Sequence, residues 1–204
     1  NSYRETYLMN GKDIARIFTK EGVDLVQKND KNIIAVATNQ TTGDYCVASD
    51  SGEVFTVTND KRVEMIGAAE DIDVIACEAR TFVVAQTNFA ADAKQKKQTS
   101  KITLFGSQGS KTVLETPSLT SLLLTDEETL VYVSDGVVYQ YKIQRGKPTP
   151  IMTTDAKDTT LLVEGQDNNT IYVVDGTQIW QLDISTSTSR RIAYSPKIKG
   201  ASFG

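Results

Sequence analysis

Short runs of alternating apolar and polar residues, separated by turn residues, follow one another along almost the whole chain. One such run, 130–134 (LVYVS), is followed by the pair Asp135-Gly136 and by a second run at 137–143. Alternation with a period of two predicts β-strands, because neighbouring side chains in a strand point to opposite faces. An Asp-Gly pair between two such runs predicts a hairpin. The pattern therefore predicts an all-β protein.

The same hairpin pattern recurs forty positions further along, at Asp175-Gly176. A period of about forty residues is typical of the four-stranded blades of a β-propeller. Extending the pattern in both directions predicts four complete units of four antiparallel strands. Their predicted strands are 33–39, 45–49, 53–58 and 62–66; 73–77, 81–87, 101–105 and 111–115; 119–125, 130–134, 137–143 and 150–154; and 160–164, 171–174, 178–184 and 190–194.

Partial units are predicted at both ends of the chain. Residues 7–18 predict a hairpin about Asn10-Gly11, residues 22–28 a further strand, and residues 197–203 the first strand of another unit. About five blades result, which fit either a closed five-bladed ring or part of a six- to seven-bladed ring that another segment or chain would complete. The start at Asn1 rather than Met favours the second geometry. Residues 1–204 are expected to form one propeller domain or propeller segment.

Two segments resemble a known superfamily. Residues 132–141 (YVSDGVVYQY) look like the second-to-third-strand hairpin of WD40-like and quinoprotein-like β-propellers, and 179–186 (IWQLDIST) is similar to their third strand and following turn. The resemblance implies a radial scaffold whose faces bind partners. The Gly-His and Trp-Asp pairs of true WD40 repeats are missing, since the chain has no histidine and Trp180 is followed by Gln181.

Composition excludes several classes of function. The net charge of −4 gives no reason to expect nucleic acid as a partner. Without histidine there is no Ser–His or Cys–His nucleophile and no histidine metal ligand. No apolar run approaches the roughly 20 residues of a membrane span. We expect no catalytic residue, cofactor or metal, and a cytoplasmic location.

The two cysteines, Cys46 and Cys77, lie among apolar residues. Two cysteines in a chain of this length do not form a disulfide framework, so they are interpreted as small buried hydrophobic residues. The sequons at Asn39 and Asn168 matter only if the chain enters a secretory compartment.

A predicted loop at 88–100 stands out because it is basic in an acidic chain. It carries Lys94, Lys96 and Lys97, and Lys101 follows directly. These lysines could contact an acidic partner, a membrane headgroup or a nucleic-acid backbone, or the loop could be a solvated insertion between strands.

The other polar clusters and the aromatic residues have structural interpretations. The recurring turn aspartates Asp50, Asp135 and Asp175 are expected to cap their own turns. The acidic segments 70–73 and 126–128 are expected to be solvated turns. The aromatic residues are expected to pack between blades, with Trp180 largely buried; they are Tyr132, Tyr139, Tyr141, Tyr172 and Trp180.

These observations favour a non-enzymatic propeller scaffold that binds other proteins within a larger protein or complex. A small-ligand or enzymatic propeller with a site in its central channel is one alternative. A secreted adhesive propeller is another.

Overall fold

The computed structural model describes residues 6–10, 13–18, 22–25, 33–39, 41–58, 63–89, 98–106, 109–156, 159–165 and 167–194. These residues form strands joined by turns, and none of them is helical. The strands are β1 (Thr6–Asn10), β2 (Asp13–Phe18), β3 (Gly22–Leu25), β4 (Ile33–Thr38), β5 (Tyr45–Ser49), β6 (Glu53–Val57), β7 (Val63–Ala68), β8 (Ile72–Glu78), β9 (Thr81–Phe89), β10 (Gln98–Gly106), β11 (Gly109–Pro117), β12 (Leu119–Asp126), β13 (Thr129–Ser134), β14 (Val137–Lys142), β15 (Lys147–Thr153), β16 (Leu161–Glu164), β17 (Thr170–Asp175), β18 (Gln178–Asp183) and β19 (Thr188–Tyr194).

Strands β4 to β19 form four antiparallel sheets of four strands each, in which neighbours in sequence are neighbours in the sheet. We name these sheets blade I (β4–β7), blade II (β8–β11), blade III (β12–β15) and blade IV (β16–β19). Strands β1, β2 and β3 form a three-stranded sheet. The predicted all-β propeller fold and its four complete units are confirmed. The predicted strand at 197–203, and with it closure of the ring, lies outside the described residues.

Apolar side chains fill the three seams between successive blades. The seam between blades I and II contains Val54, Phe82 and Phe105. The next seam is built around Leu130 and Tyr132. The seam between blades III and IV is filled by a third apolar cluster. Its buried members are Val131, Val133, Val138, Leu162, Ile171, Val173, Leu182 and Ile184. This packing explains why both faces of the inner strands are apolar.

The fourth strand of every described blade carries a β-bulge at a branched apolar residue. The extra residues are Ile66, Val113, Ile151 and Ile192. In blades I, II and III this residue packs into the seam with the following blade. In blade IV the corresponding Ile192 is 42% exposed.

A buried polar residue lies at the end of the second strand in blades I, III and IV, and three residues before the end of β9 in blade II; these residues are Ser49, Ser134, Asp175 and Gln86. In blades II, III and IV it binds the segment that enters the same blade: Gln86 donates to the Glu70 carbonyl, and Ser134 donates to the Pro117 carbonyl. In blade IV the carboxylate of Asp175 accepts the amides of Asp155 at 2.8 Å and Ala156 at 2.6 Å. Pairing a buried polar group in this way avoids the cost of leaving it unsatisfied.

The expectation for Asp175 was therefore wrong. Asp135 and Gly136 are the two turn residues of blade III, but in blade IV Asp175 still pairs with Gln178, so Gly176 and Thr177 make the turn. Asp175 is equivalent to Ser134 rather than to Asp135. Its side chain anchors the preceding connection between blades.

The predicted loop at 88–100 is shorter than expected. Strand β9 continues to Phe89 and β10 begins at Gln98, and these two residues pair directly. Strands β9 and β10 are long because their residues pair without interruption from Phe82 with Phe105 to Phe89 with Gln98. Pro148 and Pro150 lie within β15, the outer strand of blade III. An outer strand tolerates proline because it pairs on one side only.

Trp180 differs in part from its prediction. It shares the seam between blades III and IV with Leu182, as expected, but Trp180 is half-buried whereas Leu182 is fully buried. The Nε1 atom of Trp180 is buried and has no hydrogen-bond acceptor among the described residues. Truncation of Leu182 should therefore cost more stability than a change at Trp180.

We expect Leu182→Ala to lower the free energy of unfolding by about 2–5 kcal/mol, as for other buried leucines. Trp180→Phe should change it by less than about 1 kcal/mol, because removing an unpaired buried N–H offsets part of the lost packing. Urea unfolding followed by circular dichroism measures both values. Equal losses in the two variants would contradict this assignment of the seam.

Candidate functional site: a groove between blades I and II

The loop from Asn39 to Asp44 in blade I binds the β8–β9 turn of blade II. Asn39 Nδ2 donates to the Ala79 carbonyl at 2.7 Å, and the Ala79 amide donates back to Asn39 Oδ1 at 3.0 Å. The Thr41 amide donates to Glu78 Oε1 at 3.0 Å. Asn39 is only 4% exposed, so its side-chain amide is committed to the contact between blades. In the folded protein this sequon is inaccessible, whereas Asn168 is exposed.

A disulfide crosslinks the same two blades. It joins Cys46 of β5 to Cys77 of β8, with the Cα atoms 6.3 Å apart. The interpretation of both cysteines as unlinked hydrophobic residues was therefore wrong, although both are buried as expected. The pairing arises because the packing of blade II against blade I brings together residues that are far apart in sequence.

A groove of about 450 Å³ opens at this seam, and Cys46 and Cys77 both line it. Its apolar wall includes Phe82 and Phe105, whose rings meet edge to face with centroids 6.1 Å apart. Met65 also lines the groove and is 55% exposed. Such an exposed apolar side chain beside a concave surface is typical of a binding site.

The position of Phe105 depends on Gly67 of blade I. A Cβ atom placed on Gly67 would lie 2.7 Å from the Phe105 ring, closer than real Cβ contacts allow. Glycine thus permits the ring of blade II to pack against the backbone of blade I.

Charged residues lie at the rim of the groove. Glu64 of β7 and Arg80 of the β8–β9 turn both line it and are exposed. The groove therefore offers an apolar wall, an exposed methionine and a guanidinium within one surface. Methionine, aromatic and arginine side chains are enriched in the surfaces through which proteins bind one another.

A second concave region lies along the first strands of the four blades. A cavity of about 360 Å³ is lined there mainly by apolar residues, with Glu164 at its edge. Glu78, Glu164 and Asp167 line an adjoining cavity of about 70 Å³. Among the residues that the structure describes, no cluster of three or more acidic or cysteine side chains is arranged to hold a metal ion.

The aromatic side chains of blade III belong to the core, as expected. Tyr132 and Tyr141 are buried, and the rings of Tyr132 and Tyr139 stack with centroids 5.2 Å apart. Tyr141 donates its hydroxyl proton to the Val113 carbonyl at 2.8 Å. Burial raises the pKa of Tyr141 and, with the neighbouring Tyr139, raises the pKa of Tyr132 to about 12.

The predicted basic contact is described only in part. Lys94, Lys96 and Lys97 lie outside the described residues. Lys101 lies within β10, paired with Gln86 on one side and Glu115 on the other. It belongs to a strand of blade II, so its proposed role as a contact beside the loop stays a prediction.

The sequence did not predict the groove between blades I and II, because the residues that line the groove come from distant positions in the sequence.

The acidic segments lie where they were expected. Glu70, Asp71 and Asp73 are exposed where the chain enters β8, and Glu127 and Glu128 form the turn after β12. Glu78 differs, because it lies at the other end of β8 and is 5% exposed. The described part of the chain contains no helix of the length and hydropathy that a membrane span requires.

No protein-family model and no curated protein matches the sequence. The structure, in contrast, is similar to solved propellers. It matches a chain of the mitotic checkpoint complex at 11% identity and a TM-score of 0.63, covering 90% of this chain and 60% of that chain. It matches an oligogalacturonate lyase solved with manganese at 8% identity and a TM-score of 0.65, covering 88% of this chain and 58% of the lyase.

The chain therefore has a β-propeller fold. It spans about three-fifths of the length of each of these two matched structures. At these identities the likeness concerns the fold alone, since propellers host both binding proteins and enzymes.

Proposed function

We propose that this protein is a non-enzymatic propeller scaffold that binds a protein partner in the groove between blades I and II. The observation that carries the proposal is the exposed Met65 in a groove lined by both apolar and polar residues, with Arg80 at its rim. The partner suited to this surface is an extended segment that places an apolar side chain against Met65 and Phe82 and a carboxylate beside Arg80. One fold neighbour, a chain of the mitotic checkpoint complex, occurs in a protein complex and supports a role of this kind.

The energetic basis is ordinary for a peptide site. Covering the exposed side chain of Met65 removes apolar area from water, at about 25 cal/mol per Å². A carboxylate beside Arg80 contributes orientation and specificity through charge-assisted hydrogen bonds. Because the backbone walls of the groove are fixed by two sheets, little ordering of the protein opposes binding.

The test is selection of peptides from a random display library on the intact protein, followed by affinity measurement on variants. We expect the selected peptides to combine an apolar residue with a carboxylate. Met65→Glu and Arg80→Glu should each weaken binding at least tenfold. Leu161→Glu, a change at an apolar residue of blade IV that is 43% exposed, is the control and should leave affinity unchanged. Peptides whose binding survives both groove changes would reject the site.

A secreted or surface adhesive propeller is the second candidate, and the Cys46–Cys77 disulfide favours it. Disulfides persist in oxidising compartments and are rare in the cytosol. The cytoplasmic location expected from the sequence stays a prediction. Rapid alkylation of thiols in the producing cells, followed by mass spectrometry, decides between the two. Two free thiols would support the cytoplasm, and an intact disulfide would support an oxidising compartment.

A further inference from the structure

The covalent link at the seam between blades I and II has no counterpart in the next seam. In blade I, Cys46 lies three positions before Ser49, the buried polar residue of its strand. In blade II, Val83 lies three positions before Gln86, so Val83 is the residue equivalent to Cys46. Cys77 pairs with Phe82, just as Leu124 pairs with Leu130 in blade III. The seam between blades II and III thus uses a buried Val83 and Leu124 where the first seam uses a disulfide.

An apolar pair is therefore sufficient to pack two blades of this protein together. The disulfide adds a covalent constraint that the packing itself does not require. It joins residues separated by 31 positions in sequence, and the enclosed segment contains β6 and β7. Strand β7 provides Glu64, Met65 and Ile66 to the groove, so the disulfide closes a loop that carries one whole wall of the binding surface.

The opposite wall belongs to blade II, which provides Arg80, Phe82 and Phe105. The distance between the walls is fixed by the contacts across the seam: the apolar cluster, the paired hydrogen bonds of Asn39 with Ala79, and the disulfide. Of these three, only the disulfide responds to the redox state of the surroundings. Both of its cysteines line the groove but are only 1% and 3% exposed, so a reductant reaches them when the two walls separate transiently.

We propose that the Cys46–Cys77 disulfide is a redox-controlled clasp that sets the width of the groove between blades I and II. A dithiol reductant attacks one cysteine sulfur as a thiolate, forms a mixed disulfide, and is released as its own disulfide by its second thiol. Two electrons and two protons pass to the protein, leaving Cys46 and Cys77 as thiols. Without the bond, only non-covalent contacts hold the two walls of the groove together, and they separate more often.

This proposal rests on the proposed binding function of the groove, but its first readout does not require a partner. Amide hydrogen exchange is measured by mass spectrometry on the intact protein, with and without dithiothreitol. Peptides spanning β5 and β6 and peptides spanning β8 and β9 should exchange at least tenfold faster after reduction. Peptides spanning β17 and β18 should exchange at an unchanged rate, because blade IV lies two seams away.

The matched control is the double variant Cys46→Val/Cys77→Leu, which gives the first seam the apolar pair of the second. It should exchange slowly and show no response to dithiothreitol. The double variant Cys46→Ala/Cys77→Ala should match the reduced protein; where it fails to fold, reduction of the unmodified protein gives the same comparison. Unchanged exchange after complete reduction, verified by thiol mass, would overturn the proposal. So would an equal response in the Val/Leu variant.

Peptide affinity in the two redox states then separates the two proposals. Weaker binding after reduction, with the Val/Leu variant unaffected, supports both. An exchange response with no peptide bound by the oxidised protein rejects the binding function while the clasp stands. Binding without an exchange response rejects the clasp alone.

Discussion

Tyr132→Ala is expected to lower the free energy of unfolding by about 3–5 kcal/mol, the range for truncating a large buried aromatic side chain. The side chain is 2% exposed, lies in the seam between blades II and III, and stacks on Tyr139. Alanine would leave a cavity between two rigid sheets, which cannot move together to fill it. Urea unfolding measures the loss.

Tyr132→Phe is the matched control, since it keeps the ring and removes only the hydroxyl that is hydrogen-bonded to Thr116. Its expected cost is about 1 kcal/mol. An alanine variant as stable as the phenylalanine variant would show that the ring does not fill the seam.

The same side chain predicts a loss of stability at high pH. The pKa of Tyr132 is raised to about 12 in the folded protein, mainly by burial and next by Tyr139. The neutral form is favoured by folding, so this contribution is complete below pH 10 and is lost as the pH rises towards 12. Between pH 9 and pH 11.5 the unfolding midpoint should fall further in the unmodified protein than in Tyr132→Phe. Parallel falls would contradict the assignment to Tyr132.

Asp175→Ala is expected to lower the free energy of unfolding by about 2–4 kcal/mol. The carboxylate accepts two backbone amides from the connection between blades III and IV, and alanine would leave both without an acceptor. Asp175→Asn should cost less, since its carbonyl oxygen can still accept one of them. Chemical denaturation measures the free energy of unfolding of the unmodified protein and of the two variants.

Asp135→Asn provides the comparison between the two aspartates. Asp135 is exposed and has a φ of 50°, a conformation that asparagine tolerates. This variant should stay within about 0.5 kcal/mol of the original. Similar losses at positions 135 and 175 would restore the simpler view that both aspartates cap equivalent turns.

The strands themselves were largely predictable. Alternation and turn residues gave all sixteen strands of blades I to IV to within about three residues at each end. The error at Asp175 arose because the two Asp-Gly pairs are forty positions apart, whereas the buried residues Ser134 and Asp175 are forty-one apart. Sequence similarity aligned the turns, but the register of a hairpin is set by which residues pair on either side of the turn.

The disulfide and the groove were not predictable from local pattern. Residues 46 and 77 become neighbours only when the second strand of one blade is placed against the first strand of the next. A comparison of strand positions across blades would have given the signal, because both cysteines fall where Val83 and Leu124 meet in the following seam. Met65 and Arg80 likewise approach each other through packing between sheets, which leaves no trace in spacing along the chain.

The bulged residues Ile66, Val113 and Ile151 give the molecule a direction. Each packs into the seam with the blade that follows it in sequence. In each of the three described seams, one blade therefore provides the bulged residue and the next blade provides the surface that receives it. The blades can therefore pack only in one order along the sequence. A duplicated copy of blade III inserted after itself would meet a compatible surface on both sides, whereas a blade with its strands in reversed order would place two bulged residues against each other. Recombination of whole blades can therefore extend or reorder the array. Each new seam then needs few substitutions before its surfaces fit.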